Sequence, residues 1–350
     1  MSQHQTITQT SKEGLIYDRT QKKYVFLFIS GIILLAVLIF LSLTTGRYPT
    51  LPQEVIRSIL DHGSNVDVYN IVKNSRAPRL IAAMLIGAAL SVSGYVFQSL
   101  FANNMASPDI LGVSSGAGLG ASMAIVWGFG YGSIFLFSFF GGILSVSSTI
   151  AVSRIFRKDA GNSIPLILSG IIIGGFMNSA IGLFKYLAND TQLNSITYWL
   201  LGGLMNINHN QLNIVGPIIG IGIISLCLLR WKIIILKNNV EDAQIHGVNA
   251  EKTKYICIFL ATLITAASVS VGGTIGWIGL AIPNMVKVVL KDDNKYAMSL
   301  DILYGASFTV LSDLLARTLS NSEIPIGIIT GMLGALIFIL VLAVRRKYYE

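Results

Sequence analysis

The chain has 350 residues, of which 53% are apolar, 34 are glycine and 12% are charged, a charged share about half that of an ordinary soluble domain. A net charge of +8 invites a nucleic-acid reading, but a mean hydropathy of +0.67 leaves too little polar surface for a nucleic-acid binder or for any water-soluble globule. The basic excess therefore has to be explained by membrane topology.

In chain order, charge-free runs cover Tyr24 to Thr45, Leu80 to Pro108, Ile110 to Ser153, Ala160 to Phe184, Thr191 to Leu229, Tyr255 to Val286 and Ile324 to Val344. Each holds the roughly 20 apolar residues that one membrane span needs, and the longer runs, broken by Gly, Pro and polar clusters, hold two spans or a span plus a re-entrant piece. The first run starts only at Tyr24 and lacks a small-residue cleavage site, so it reads as a retained span behind a tail of residues 1–23. The runs predict an all-α polytopic protein with spans near 24–46, 78–101, 108–127, 131–153, 163–188, 211–236, 255–272, 275–291, 298–316 and 324–344. Residues 24–350 then form a single transmembrane domain, with a polar loop at 237–254. Residues 189–210, with Asn194, Trp199, Gly202, Gly203 and Asn206, suit a short interfacial helix.

Ten spans place both termini on one side. The segments on that side carry 18 Lys and Arg against 6 on the other, which by the positive-inside rule makes it the cytoplasm. Two sets of five spans would have opposite senses, the inverted arrangement common in transporters. The ninth span is weak, because Asp301, Asp313 and Arg317 bracket a short apolar stretch, and such groups are expected to face protein or a watery cavity.

Enzyme chemistry is not legible. His4, His62, His209 and His246 fall in four separate loops or tails, and Cys227 and Cys257 both lie inside apolar runs, so neither a metal set, a general base nor a disulfide framework emerges. No cofactor is expected. There is no Gly-Lys dipeptide, hence no phosphate-cradling loop, and ATP coupling would need a separate ATPase subunit. Small residues do recur at helical spacing, as in Gly87, Ser91, Gly94 and in Gly112, Gly116, Gly120, which lets helix backbones approach closely in lipid.

Two polar regions stand out. Arg76 and Arg79 flank Pro78, and Arg317 ends the ninth span, all on the less basic side. There they either anchor to lipid headgroups or offer bidentate pairing to the carboxylates of a soluble partner. On the other side, Glu241-Asp242-Ala243-Gln244-Ile245-His246 has helix character and Gly247 stops it, a short helix suited to receiving force from a soluble partner.

The run from Arg76-Ala-Pro-Arg79 through Gly87, Gly94, Gln98 and Asn103 to Ser107-Pro108-Asp-Ile-Leu-Gly-Val-Ser-Ser-Gly-Ala117 resembles the iron-siderophore and cobalamin ABC importer permeases. The likeness continues in order through Tyr198-Trp199-Leu-Leu-Gly-Gly203, Ala243 to Gly247, Gly273-Thr-Ile-Gly-Trp-Ile-Gly-Leu-Ala-Ile-Pro283, Gly305-Ala306, Ser312-Asp313, Ala316-Arg317 and Glu323-Ile-Pro-Ile-Gly327. The resemblance implies a permease of the bacterial cytoplasmic membrane that pairs with a second permease subunit, binds two ABC ATPase subunits inside and takes solute, such as a ferric siderophore, from an external binding protein. By resemblance, Arg76, Arg79 and Arg317 dock that binding protein, Glu241 to Gly247 is the coupling segment, and Asn103, Asn104 and Met105 lie at a cytoplasmic gate. The chain departs from the family at Asn104 and Met105, where Pro and Leu are usual, at Asn284 and Lys287, where His and Arg are common, and at Leu336, where Pro is usual. Losing Pro frees φ and restores an N–H while Met is a softer plug, so the gate is expected to be looser yet hydrophobic.

Overall fold

The computed structural model describes residues 2–46, 48, 50–60, 66–156, 164–238, 243, 245–290, 296–320 and 322–349. Among them there is no strand. The helices are α1 (Ser2–Thr44), α2 (Pro52–Leu60), α3 (Val66–Ile71), α4 (Ala77–Leu100), α5 (Val113–Val126), α6 (Tyr131–Phe156), α7 (Ile164–Leu187), α8 (Asp190–Leu201), α9 (His209–Leu228), α10 (Arg230–Asn238), α11 (Ala250–Gly272), α12 (Ile278–Leu290), α13 (Ala297–Thr318) and α14 (Ile326–Tyr349).

Among the described residues, eight helices are long and apolar enough to cross a membrane, while α5 and α12 are shorter apolar helices at the positions of the expected third and eighth spans. With 14 and 13 residues these two reach only about 20 Å, against about 30 Å of hydrocarbon. The missing length comes from unwound chain ahead of each. Segment 101–112 turns through Ala102 at φ +46° and a short 3₁₀ turn, Pro108–Leu111, before Gly112 at φ +78° opens α5. Segment 273–277 is extended, and Trp277 at φ +70° immediately precedes α12. Each set of five crossings thus has a broken third member entered through a left-handed residue, as an inverted pair of halves would have.

Non-helical backbone at membrane depth has to find its hydrogen bonds inside the protein. Here it does so against the α8–α9 connection: Gly203 N–H donates to Gly272 O at 2.9 Å, and Ile326 N–H donates to Gly202 O at 3.0 Å. The Thr274 hydroxyl donates to Leu200 O. The interfacial helix expected in 189–210 is α8, closed at its start by a reciprocal box in which Asn189 and Gln192 cap each other's backbone.

Two boundaries differ from the sequence reading. The expected sixth span at 211–236 is two helices, since α9 ends at Leu228 and α10 begins at Arg230, where a charged Arg-Trp-Lys triplet meets the membrane surface. The loop ahead of the second span is itself structured: α2, α3 and a π-turn, Val72–Arg76, with Val55, Val68 and Val72 forming a small separate core.

The main core is built around α4, nineteen of whose residues are buried. It packs against α9, α11, α12 and α13. Close approach explains its small residues: a Cβ on Gly94 would collide with the Gly279 carbonyl of α12, and one on Gly87 with the Gly305 carbonyl of α13. Asp301, Asp313 and Arg317 of α13 are all buried, so the weak ninth span faces protein.

Candidate functional site

Where the two broken spans meet, the structure leaves a cavity of about 220 Å³ lined by Leu90, Asp109, Ser114, Thr265, Trp277 and Leu280, among others. Its walls come in equivalent pairs: the second spans of the two halves, α4 and α11, and the unwound entries to the third spans. The Ser114 hydroxyl donates to the Asp109 carboxylate, and the Ser93 and Thr265 hydroxyls meet at 2.8 Å across α4 and α11. Trp277 carries a backbone strain that non-glycine residues avoid; its ring lies 6.4 Å from Phe338 of α14. The volume falls below the roughly 300 Å³ at which small-ligand pockets begin.

On the face opposite the termini, the three arginines do not stand free in solvent. Arg76 is 4% exposed. Its Nη1 donates to Leu43 O at 2.6 Å, Thr44 O at 3.2 Å and Thr50 Oγ1 at 2.8 Å, and its Nη2 donates to Tyr48 O at 2.8 Å. Arg317 Nη2 donates to Ser42 O at 3.0 Å and to Ser42 Oγ at 2.6 Å. Two guanidiniums thus cap the open carbonyls at the carboxyl end of α1, where the helix dipole favours positive charge. The π-turn at Val72–Arg76 gives the chain the extra residue that points Arg76 back at α1.

Arg79 belongs to an ion-pair cluster. Its Nε and Nη2 both lie 2.7 Å from Asp313 Oδ1, and Nη2 also pairs with Glu323 Oε1. Asp313 Oδ2 lies 3.4 Å from Arg317 Nε, close enough for charge attraction but without hydrogen-bond geometry. Neither lipid anchoring nor open solvent describes these side chains. Sequence reading missed the carboxylate partners; the four-residue spacing of Asp313 and Arg317 on one helix was the available signal.

On the face shared with the termini, α4 ends at Leu100 and the chain turns through the 101–107 loop. Asn103 N–H donates to Gln98 O at 3.1 Å, and its side-chain carbonyl accepts from Met105 N–H at 2.9 Å. Met105 is 61% exposed. Of the expected coupling segment, Glu241, Asp242 and Gln244 lie outside the described residues. Ala243 is fully buried, Ile245 is 81% exposed, and Gly247 at φ +69° ends the turn, with Val248 N–H donating to Ala243 O at 2.8 Å. Asn249 then caps α11 through Lys252 N–H at 2.9 Å.

Comparison with known proteins agrees with this architecture. The FecCD transport family matches residues 34–344. A Helicobacter pylori protein named "Probable iron chelatin transport system permease protein" is 34% identical over 292 residues, 82% of this chain and 88% of its own. The Yersinia pestis hemin transport system permease is 31% identical over 318 residues, 90% of this chain and 95% of its own. A solved inward-facing conformation of a metal-chelate type ABC transporter superposes with a TM-score of 0.82 at 28% identity, covering 90% of this chain and 98% of that one. A helical membrane bundle with broken third and eighth spans, carrying these motifs from end to end, is a permease of ABC importers, and the chain belongs to the FecCD transport family.

Proposed function

We propose that this ABC importer permease carries a ferric siderophore across a bacterial cytoplasmic membrane, with both termini in the cytoplasm. Solute would arrive from an extracytoplasmic binding protein, and two ATPase subunits would supply the energy. The observation that carries the reading is the family match over residues 34–344, joined to the likeness to a relative named for iron chelatin transport. The cavity of about 220 Å³ is smaller than ordinary small-ligand pockets, in keeping with passage between this chain and a second permease subunit. The helices rock between two states, and differential binding of ATP by the partner shifts their populations.

The docking role assigned to the arginines rests on Arg79 above all. Its side chain and that of Glu323 are 12% and 14% exposed, at the rim of the cluster. A carboxylate from the binding protein would replace Glu323 on the guanidinium without leaving it unpaired. Arg76 and Arg317 would shape the dock by holding α1. On the cytoplasmic side, exposed Ile245 offers an apolar anchor to the ATPase, and Asn103, Asn104 and Met105 would form the gate.

Haem and cobalamin are the rival solutes. The test is uptake of radioiron on a panel of siderophores, beside labelled haem and cobalamin, in cells with and without this chain. Loss of one ferric siderophore is expected; loss of haem or cobalamin alone would keep the permease and overturn the siderophore reading.

A further inference from the structure

Pro283 sits inside α12 and has no N–H to give to the carbonyl four residues back, Gly279 O. That carbonyl is satisfied from another helix: Gln98 Nε2 of α4 donates to it at 3.2 Å. The other end of the same amide, Gln98 Oε1, accepts from Lys287 Nζ at 2.9 Å, and Lys287 also reaches Asn104 Oδ1 at 3.4 Å. Asn284, the residue that follows Pro283, donates Nδ2 to Asn104 O at 2.7 Å and to Leu280 O at 2.8 Å. Gln98 and Asn284 are each 1% exposed and Lys287 6%, with the ammonium also 5.6 Å from the centre of the Tyr95 ring.

These contacts close a ring from α4 through the 101–107 loop to α12. Asn284 and Lys287 of α12 both meet Asn104 in the loop. Hydrogen bonds to the backbone and side chain of Asn104 restrain the loop there. Polar rings buried at low dielectric hold firmly when every member is satisfied.

We propose that Gln98, Asn284 and Lys287 are positioning residues that latch the 101–107 loop onto α12, with Asn104 as the part that is held. The latch rests on the permease reading for its purpose, since it keeps a gate shut only if that loop is the gate. It sets how often the loop lifts, and because Lys287 and Asn284 ride on α12, movement of α12 against α4 releases both holds at once.

The test uses the full-length chain in lipid nanodiscs with Cys227 and Cys257 replaced by alanine and a reporter at Ala106→Cys. Ala106 is fully buried within the loop, so a maleimide reaches the reporter only when the loop lifts. Lys287→Met and Asn104→Ala should each speed labelling about tenfold, the population change expected from losing a hydrogen bond to a charged group. Combining them should add little, since they break the same hold. Lys287→Arg, which keeps the donor, should label close to the parent rate. Hydrogen exchange of the 102–107 amides, in chains without the reporter, should show the same order. Unchanged labelling and exchange in Lys287→Met would overturn the latch while leaving the permease reading untouched. Faster labelling, with radioiron uptake from the siderophore panel unaltered both in Lys287→Met and after maleimide capping of Met105→Cys, would keep the latch and overturn the gate.

Discussion

A carboxylate buried between two guanidiniums is costly to remove from this fold. Asp313 is 1% exposed and pairs with Arg79 and, more distantly, with Arg317. Asp313→Ala would leave two positive charges facing each other in a site with little water. Removal of one partner from such a buried set costs about 3–5 kcal/mol. Glu323 sits at the rim of the same cluster, and Glu323→Ala should cost less than Asp313→Ala, because Arg79 keeps both its contacts with Asp313. Chemical unfolding of the two variants in detergent measures the difference, and equal stabilities would show that Asp313 is not the centre of the cluster. The same asymmetry bears on the proposed docking role: charge reversal at Arg76 or Arg317 would strip the caps from α1, so Glu323→Gln, which weakens the outer contact of Arg79 without disturbing α1, is the cleaner probe of it.

At the scale of elements, the described part of the proposed coupling segment has one side chain that holds the fold and one that faces outward. Ala243 is fully buried and Ile245 is 81% exposed, so a bulky residue at 243 would damage packing whatever the partner does. Ile245→Asp should leave thermal stability unchanged and weaken capture of the ATPase subunit about thirtyfold, the effect of losing one interface anchor. Co-purification beside a melting curve reads both, and intact capture would remove Ile245 from the contact. The eight long spans were legible because lipid demands continuous apolar length, as in 131–153 and 163–188 against α6 and α7. The broken spans were not, since Ser107, Pro108 and Gly273 sit within the same charge-free runs as the helices they interrupt. Composition does not separate unwound chain satisfied by the α8–α9 connection from helix satisfied by itself. The break at Leu229 had a signal in Arg230 and Lys232, while the π-turn before Arg76 had none. The arginines were legible as an anomaly, but their carboxylate and carbonyl partners come from α1, α13 and the turn after α13, a juxtaposition that only the tertiary fold creates. Asn104, Asn284 and Lys287 were visible as separate departures, and their meeting in one ring is likewise a property of the packed helices.

For the whole molecule, the distribution of ionisable groups decides between an ATP-driven and an ion-coupled machine. An ion-coupled transporter carries its coupling ion on a titratable group near the midplane that can be reached from each side in turn. Among the described residues, Asp313 lies toward the end of α13 opposite the termini and is held by Arg79, while Lys287 lies toward the other face and is held by Gln98. The cavity between the halves is lined by Asp109, whose carboxylate accepts from Ser114 at the entry to α5, beside apolar and hydroxyl side chains. In this structure Asp313, Lys287 and Asp109 are each held by a neighbouring polar side chain. On the proposed function, work on the solute comes from outside the span bundle, through the segment that ends at Gly247. Collapsing the proton gradient with an ionophore while holding ATP constant should leave initial uptake rates within about twofold of the untreated rate, whereas depleting ATP with the gradient intact should abolish uptake, the limit in which no differential binding energy remains to shift the two states. Prompt loss on collapse of the gradient, with ATP still present, would require that Asp109 or Asp313 change partners during the cycle.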